Sequence, residues 1–208
     1  MIFLNYYIDF DNTLYKTKAL TERMLNTIAT VCLREKGLKI GEIVEEAKKM
    51  FNREKIYNIF ELCKFFGNKY KIKEEIIIKE IIDIILNGKE NVYDDSIEFL
   101  EFLKKGGNKL HLLTYTAKGD IEYQSLKIMG SGLGNFFDTL IITSEPKYEL
   151  DLNYKNGIFI DDNPKDLIGL YEKNPIDLIR IRRADNKYSL QDIDIKIKEY
   201  NNLKEIQN

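Results

Sequence analysis

The stretch from Ile2 to Ile8 is mostly apolar and aromatic, and it stops abruptly at Asp9-Phe10-Asp11-Asn12-Thr13. It reads as a buried strand that delivers acids at its C-terminal end. From Thr17 to Asn87 the apolar positions switch to helical spacing. Leu20, Met24, Leu25, Ile28, Val31 and Cys32 form one stripe, and Ile40, Ile43, Val44, Ala47 and Phe51 a second. Ile56, Ile59, Phe60, Cys63 and Phe66 form a third. Ile72 to Leu86 is apolar over most of its circumference, which predicts a fourth helix packed on several sides. Breaks are expected at Gly37, Gly41, Gly67-Asn68 and Asn87-Gly88.

The second half alternates between strand and helix. Asp94-Asp95-Ser96 caps a helix over 97–105 that Gly106-Gly107 ends. Strands are expected over 110–114, 137–143, 157–160 and 176–181. A helix over 120–129 runs into a loop over 130–134, and another starts at Asn163-Pro164. Residues 188–204 read as mostly helical, and 201–208 as a frayed polar tail. The expected fold class is α/β: a Rossmann-like parallel sheet with helices on both faces, plus a small all-helical domain. The expected boundaries are 1–14 with 92–208 for the core, and 15–91 for the helical insertion.

Composition narrows the function classes. The 208 residues carry 32 Lys+Arg against 34 Asp+Glu, a net charge of −2 that gives no general pull toward polyanions. Nucleic acid is therefore not an expected partner. Cys32 and Cys63 form no metal-binding or disulfide pattern and read as free buried thiols. The N-terminus lacks the basic segment of a signal peptide, and Lys79, Glu80 and Asp83 interrupt the greasiest stretch. The expectation is a cytoplasmic protein with no membrane partner. Its oligomeric state is not readable.

Open α/β sheets bind ligands at the carboxyl ends of their strands. Those ends present Asp9, Asp11, Thr114, Lys147 and Asp161-Asp162, with Asp166 one helical turn further. Crowded carboxylates repel unless a cation holds them or they protonate. A hard divalent ion with oxygen ligands answers this, and Mg²⁺ suits it best.

These residues resemble the motifs of the haloacid dehalogenase superfamily. Asp9-Phe10-Asp11-Asn12-Thr13 is similar to its Asp-x-Asp-x-Thr signature. Thr114 is similar to its second motif and Lys147 to its third, with Lys155 as a competitor for that place. Asp161-Asp162-Asn163-Pro164-Lys165-Asp166 is similar to its fourth. The helical block falls where that superfamily inserts a cap. The resemblance implies that Asp9 is a nucleophile forming an aspartyl-phosphate. It implies that Asp11 protonates the leaving oxygen and then activates water. Asp9, the backbone carbonyl of Asp11, and Asp162 would hold Mg²⁺. Thr114 and Lys147 would bind phosphate, with Asp161 and Asp166 supporting the metal ligands from behind. The implied activity is hydrolysis of a small phosphorylated metabolite. Two rivals stay open: a phosphotransferase such as a sugar-phosphate mutase, and a regulatory protein that keeps the site without turnover.

Other residues have plainer readings. His111 reads as a satisfied strand residue, and Lys104-Lys105 as cations suited to a helix end. Arg180, Arg182 and Arg183 read as a solvated rim. The aromatics Tyr57, Phe60, Phe65, Phe66 and Tyr70 read mostly as core of the helical block.

Overall fold

The computed structural model describes residues 4–53, 58–117, 119–152, 157–173 and 176–207. Ile56, Tyr57 and Lys155 lie outside the described residues. The chain divides into two compact units, residues 19–88 and residues 1–18 with 89–208.

The larger unit is built on six parallel strands: β1 (Asn5–Ile8), β2 (Lys109–Tyr115), β3 (Thr139–Thr143), β4 (Gly157–Asp161), β5 (Asp177–Ile181) and β6 (Lys198–Tyr200). Their order is β3-β2-β1-β4-β5-β6. The chain leaves β1 toward one edge, then returns to β4 and proceeds to the other edge. That reversal creates a crevice at the C-terminal ends of β1 and β4. Helices α5 (Ser96–Lys105), α6 (Ile121–Ser131) and α7 (Pro164–Lys173) connect the strands. For a parallel sheet whose chain moves to both sides of β1, the crossover rule puts helices on both faces. On one face Tyr7, Leu113, Phe159 and Leu178 pack with Leu167 and Leu170 of α7.

The smaller unit comprises most of α1 (Thr17–Lys36), with α2 (Ile40–Arg53), α3 (Ile59–Tyr70) and α4 (Glu74–Leu86). The apolar stripes of α1 and α3 are the buried ones, including both free thiols, Cys32 and Cys63. In α4 only Ile77, Ile81 and Ile85 are buried, so its wrap of isoleucines packs along one stripe with half-buried flanks. Gly41 and Gly67-Asn68 do not break their helices. A Cβ on Gly67 would stand 3.0 Å from the Ile72 carbonyl oxygen, so this glycine permits close approach of α3 and α4.

Several expectations for the second half are corrected. Residues 188–204 are not helical: turns over 184–190 lead to β6, and a 3₁₀ turn, Leu203–Gln207, follows. The alternation Ile193, Ile195, Ile197 does not fit a helical stripe, and these residues form irregular chain leading into β6. The tail is not frayed at Leu203, which is fully buried and donates its N–H to Asp95 Oδ2 at 2.8 Å. The expected loop over 130–134 starts later, because α6 continues to Ser131 and stops at left-handed Gly132. Two of the three arginines are not a solvated rim, whereas Arg182 is partly exposed and pairs with Glu199 and Asp192 at the surface. Arg180 is fully buried and donates to the carbonyls of Tyr188 (2.8 Å) and Gln191 (2.7 Å). Arg183 is buried against Asp95. Asp95 makes no side-chain cap bond to α5, since its carboxylate is taken by that arginine. His111 is held by Thr139 Oγ1 at 2.7 Å and stacks on Tyr7. Among the described residues no helix is long and apolar enough to cross a membrane.

Candidate active site

β1 sits between β2 and β4 in register, Ile8 opposite Leu112 and Ile160, so the residue after it emerges between two neighbouring strand ends. That residue is Asp9, anchored by its N–H to the Ile160 carbonyl at 2.9 Å. Beyond it the chain turns back tightly. Leu14 and Tyr15 both donate to the Phe10 carbonyl, and Asn12 adopts φ 61°. Asparagine tolerates this left-handed conformation better than most side chains.

Asp9, Asp161 and Asp162 each offer a carboxylate oxygen, all within 4.8 Å of one another, and all three are buried. Lys147, at the start of the 3₁₀ turn Lys147–Glu149, places Nζ 2.5 Å from Asp9 Oδ1 and 2.6 Å from Asp161 Oδ2. Burial raises the Asp9 pKa well above the carboxylate range, and the charges of Asp161, Asp162 and Asp11 raise it further against the pull of Lys147. Burial and Asp161 likewise raise Asp162. Burial works to discharge the Lys147 ammonium, but Asp161, Asp9 and Asp166 outweigh it and hold its pKa above the ordinary value. One ammonium cannot balance three carboxylates, so Asp9 and Asp162 are driven toward their neutral forms unless a cation joins them. An all-oxygen, charge-rich donor set of this kind fits a hard divalent cation such as Mg²⁺.

Asp161, expected behind the metal ligands, offers its own oxygen to this cluster while accepting from the Asn163 N–H at 2.8 Å. Asp166 accepts from Asn163 Nδ2 at 2.9 Å and from the Lys147 backbone N–H. Thr114 is fully buried near the end of β2. The Asp11 carboxylate stands outside the three-acid cluster. It accepts from Lys127 Nζ (2.5 Å), Gln124 Nε2 (2.7 Å) and Thr17 Oγ1. Burial pushes the Asp11 carboxyl up, yet the Lys127 charge and these hydrogen bonds outweigh it and hold the pKa below the usual value.

Sequence reasoning missed three polar partners. Gln124 and Lys127 lie on the buried stripe of α6 beside Ile128 and Ser131. Polar groups on a stripe that should be apolar were the available signal. Asn186, in the turn after β5, donates Nδ2 to Asp162 Oδ2. No local pattern marked it.

Neither family models nor curated proteins match this sequence. Solved structures do. A haloacid dehalogenase phosphatase from Thermococcus onnurineus is 19% identical, with a TM-score of 0.63, over 99% of this chain and 96% of its own. A protein from Burkholderia xenovorans, assigned as a haloacid dehalogenase-like hydrolase, is 15% identical with a TM-score of 0.73, covering 99% and 95%. A protein from Thermotoga maritima, assigned as a β-phosphoglucomutase, is 16% identical with a TM-score of 0.62, covering 98% and 96%. The fold is that of the haloacid dehalogenase superfamily.

Proposed function

We propose that the protein is a metal-dependent phosphatase acting on a small phosphorylated metabolite through a phosphoryl group carried by Asp9. The observation that carries this reading is the meeting of Asp9, Asp161 and Asp162 at the adjoining ends of β1 and β4 with Lys147 from the turn after β3. Asp9 and Asp162, with the backbone carbonyl of Asp11, would hold Mg²⁺, and Asp161 lies close enough to contribute or to orient them. The ion, when bound, would offset the charge of the acids and of the incoming phosphate.

The Asp9 carboxylate attacks phosphorus, the bond to the leaving oxygen breaks, and Asp11, protonated for this step against the Lys127 charge that favours its ionised form, supplies the proton that oxygen needs. Water then attacks the phosphoryl-enzyme, Asp11 takes its proton, and the bond from phosphorus to Asp9 breaks. The Lys147 ammonium and the Thr114 hydroxyl stabilise the phosphoryl oxygens during both transfers. Asp166 fixes Lys147 through its backbone N–H. The helical unit, inserted between Asp11 and Thr114, takes the part of the cap in this reading.

The test is a panel of phosphorylated metabolites, assayed with Mg²⁺ and with EDTA. Inorganic phosphate should appear only with the metal. Transfer of the phosphoryl group to a second sugar hydroxyl instead of water would favour a phosphotransferase. Silence across the panel would favour a non-catalytic role.

A further inference from the structure

The Asp11 carboxylate is held by more groups than a solvated acid would be. Lys127 Nζ lies 2.5 Å from Oδ1 and Gln124 Nε2 lies 2.7 Å from Oδ2, so each oxygen has its own donor. The same Gln124 amide nitrogen donates to Thr114 Oγ1 at 2.9 Å. Because carboxylate oxygens only accept, the contact with Asp11 Oδ2 fixes which way the amide points. One side chain therefore spans the residue read as acid–base and the residue read as phosphate holder. Lys127 is itself immobilised. Its side chain is 3% exposed, and its ammonium lies 5.0 Å from the Tyr123 ring centroid and 5.7 Å from that of Phe10. Gln124 and Lys127 stand three residues apart on α6, so one rigid helix face presents both.

A buried lysine and glutamine on a helix stripe need partners, and any acid would satisfy them. What singles this arrangement out is that they bind the two oxygens of one carboxylate and tie it to Thr114. That leaves the carboxylate no freedom to rotate. Loss of orientation in an acid–base group is costly for catalysis even where the group itself remains.

We infer that Lys127 and Gln124 are positioning residues that hold the Asp11 carboxylate for the water-activating step. The inference rests on the phosphatase reading above. In that step water oxygen bonds to phosphorus, the bond from phosphorus to Asp9 breaks, and Asp11 receives the water proton. Lys127 keeps its own proton and acts only through the Asp11 carboxylate.

The experiment uses p-nitrophenyl phosphate, whose leaving group departs without a proton. Wild-type protein should give a linear trace. Lys127→Met should give a burst of about one equivalent of p-nitrophenol per site, then a steady rate about 10²-fold lower, since acid–base groups typically contribute 10²–10⁴-fold. Intact mass should show the phosphoryl-enzyme accumulating. A merely structural loss would lower burst and steady rate together, without accumulation. Gln124→Leu should act in the same direction more weakly, and Lys127→Arg should recover part of the rate.

In the Asp11→Asn background, which leaves no buried carboxylate without its cation, Lys127→Met should cost nothing further. A linear trace from folded Lys127→Met, or additive losses in the double variant, would overturn the inference while leaving the phosphatase reading intact. An inactive wild-type protein would sink both.

Discussion

Arg183 grips Asp95 with two prongs, Nη1 to Oδ2 at 2.7 Å and Nη2 to Oδ1 at 2.8 Å, and both side chains are buried. The same guanidinium donates to the Thr13 carbonyl at 2.9 Å and lies 4.0 Å over the Tyr93 ring. Asp95 also accepts the Leu203 N–H. One ion pair thus joins the turn after Asp9, the start of α5, the end of β5 and the C-terminal segment.

Removing one partner strands the other charge in a dry place. Arg183→Met should therefore cost roughly 3–5 kcal/mol of stability, read from urea unfolding. Burial raises the Asp95 pKa, but the Arg183 hydrogen bonds and charge outweigh it and lower the folded value. A lowered carboxyl contributes stability above its unfolded pKa and loses it as pH falls through the folded one. Wild type should accordingly lose more stability on acidification than Arg183→Met does. Equal unfolding midpoints near neutral pH would show that the pair is dispensable.

Asp9→Asn removes the proposed nucleophile at almost constant shape. Turnover should fall by roughly 10⁴–10⁶-fold. Burial and three neighbouring acids disfavour the Asp9 charge, with only Lys147 opposing them. Without metal the variant should then melt no lower than wild type, as substitutions that relieve strained active sites often do. Calorimetry in EDTA checks the second point and a phosphate assay the first. Retained activity would remove Asp9 from its assigned role.

A Cβ at Gly169 on α7 would stand 2.4 Å from the Tyr148 ring, and Tyr148 follows Lys147 directly. Gly169→Ala gains about 0.5–1 kcal/mol of helix preference. It should lose about 1–3 kcal/mol to overpacking. The contact reaches the ring's Cγ, close to the backbone of the turn that starts at Lys147, so KM for a phosphate substrate should rise alongside the loss of stability. An unchanged KM would uncouple Tyr148 from the site.

Burial pushes the Cys63 thiol up to about 12. It pushes Cys32 up to about 11, with Glu46 adding to the effect. Since thiolate is the reactive form, neither should react with a chromogenic disulfide reagent near neutral pH until the chain unfolds. Both should react in guanidinium. Rapid labelling of the folded protein would show that the helical unit opens readily.

The apolar stripes of α1 to α4 were legible because a helix repeats locally, and Asp9, Thr114 and Asp161-Asp162 were legible because a strand's end is marked where an apolar run meets polar residues. The turn chemistry of 182–200 was less legible. Arg180 is engaged by carbonyls 8 and 11 residues away, and buried hydrogen bonds of that kind override a weak local preference. By itself the sequence determined the elements as far as β5, the helical insertion and the candidate acids. Which acids meet was decided only by tertiary structure. Lys147 reaches Asp9 across 138 residues and Lys127 reaches Asp11 across 116. Local periodicity is written in adjacent residues, whereas these encounters depend on β1 lying between β2 and β4, an order set by the packing of the whole sheet.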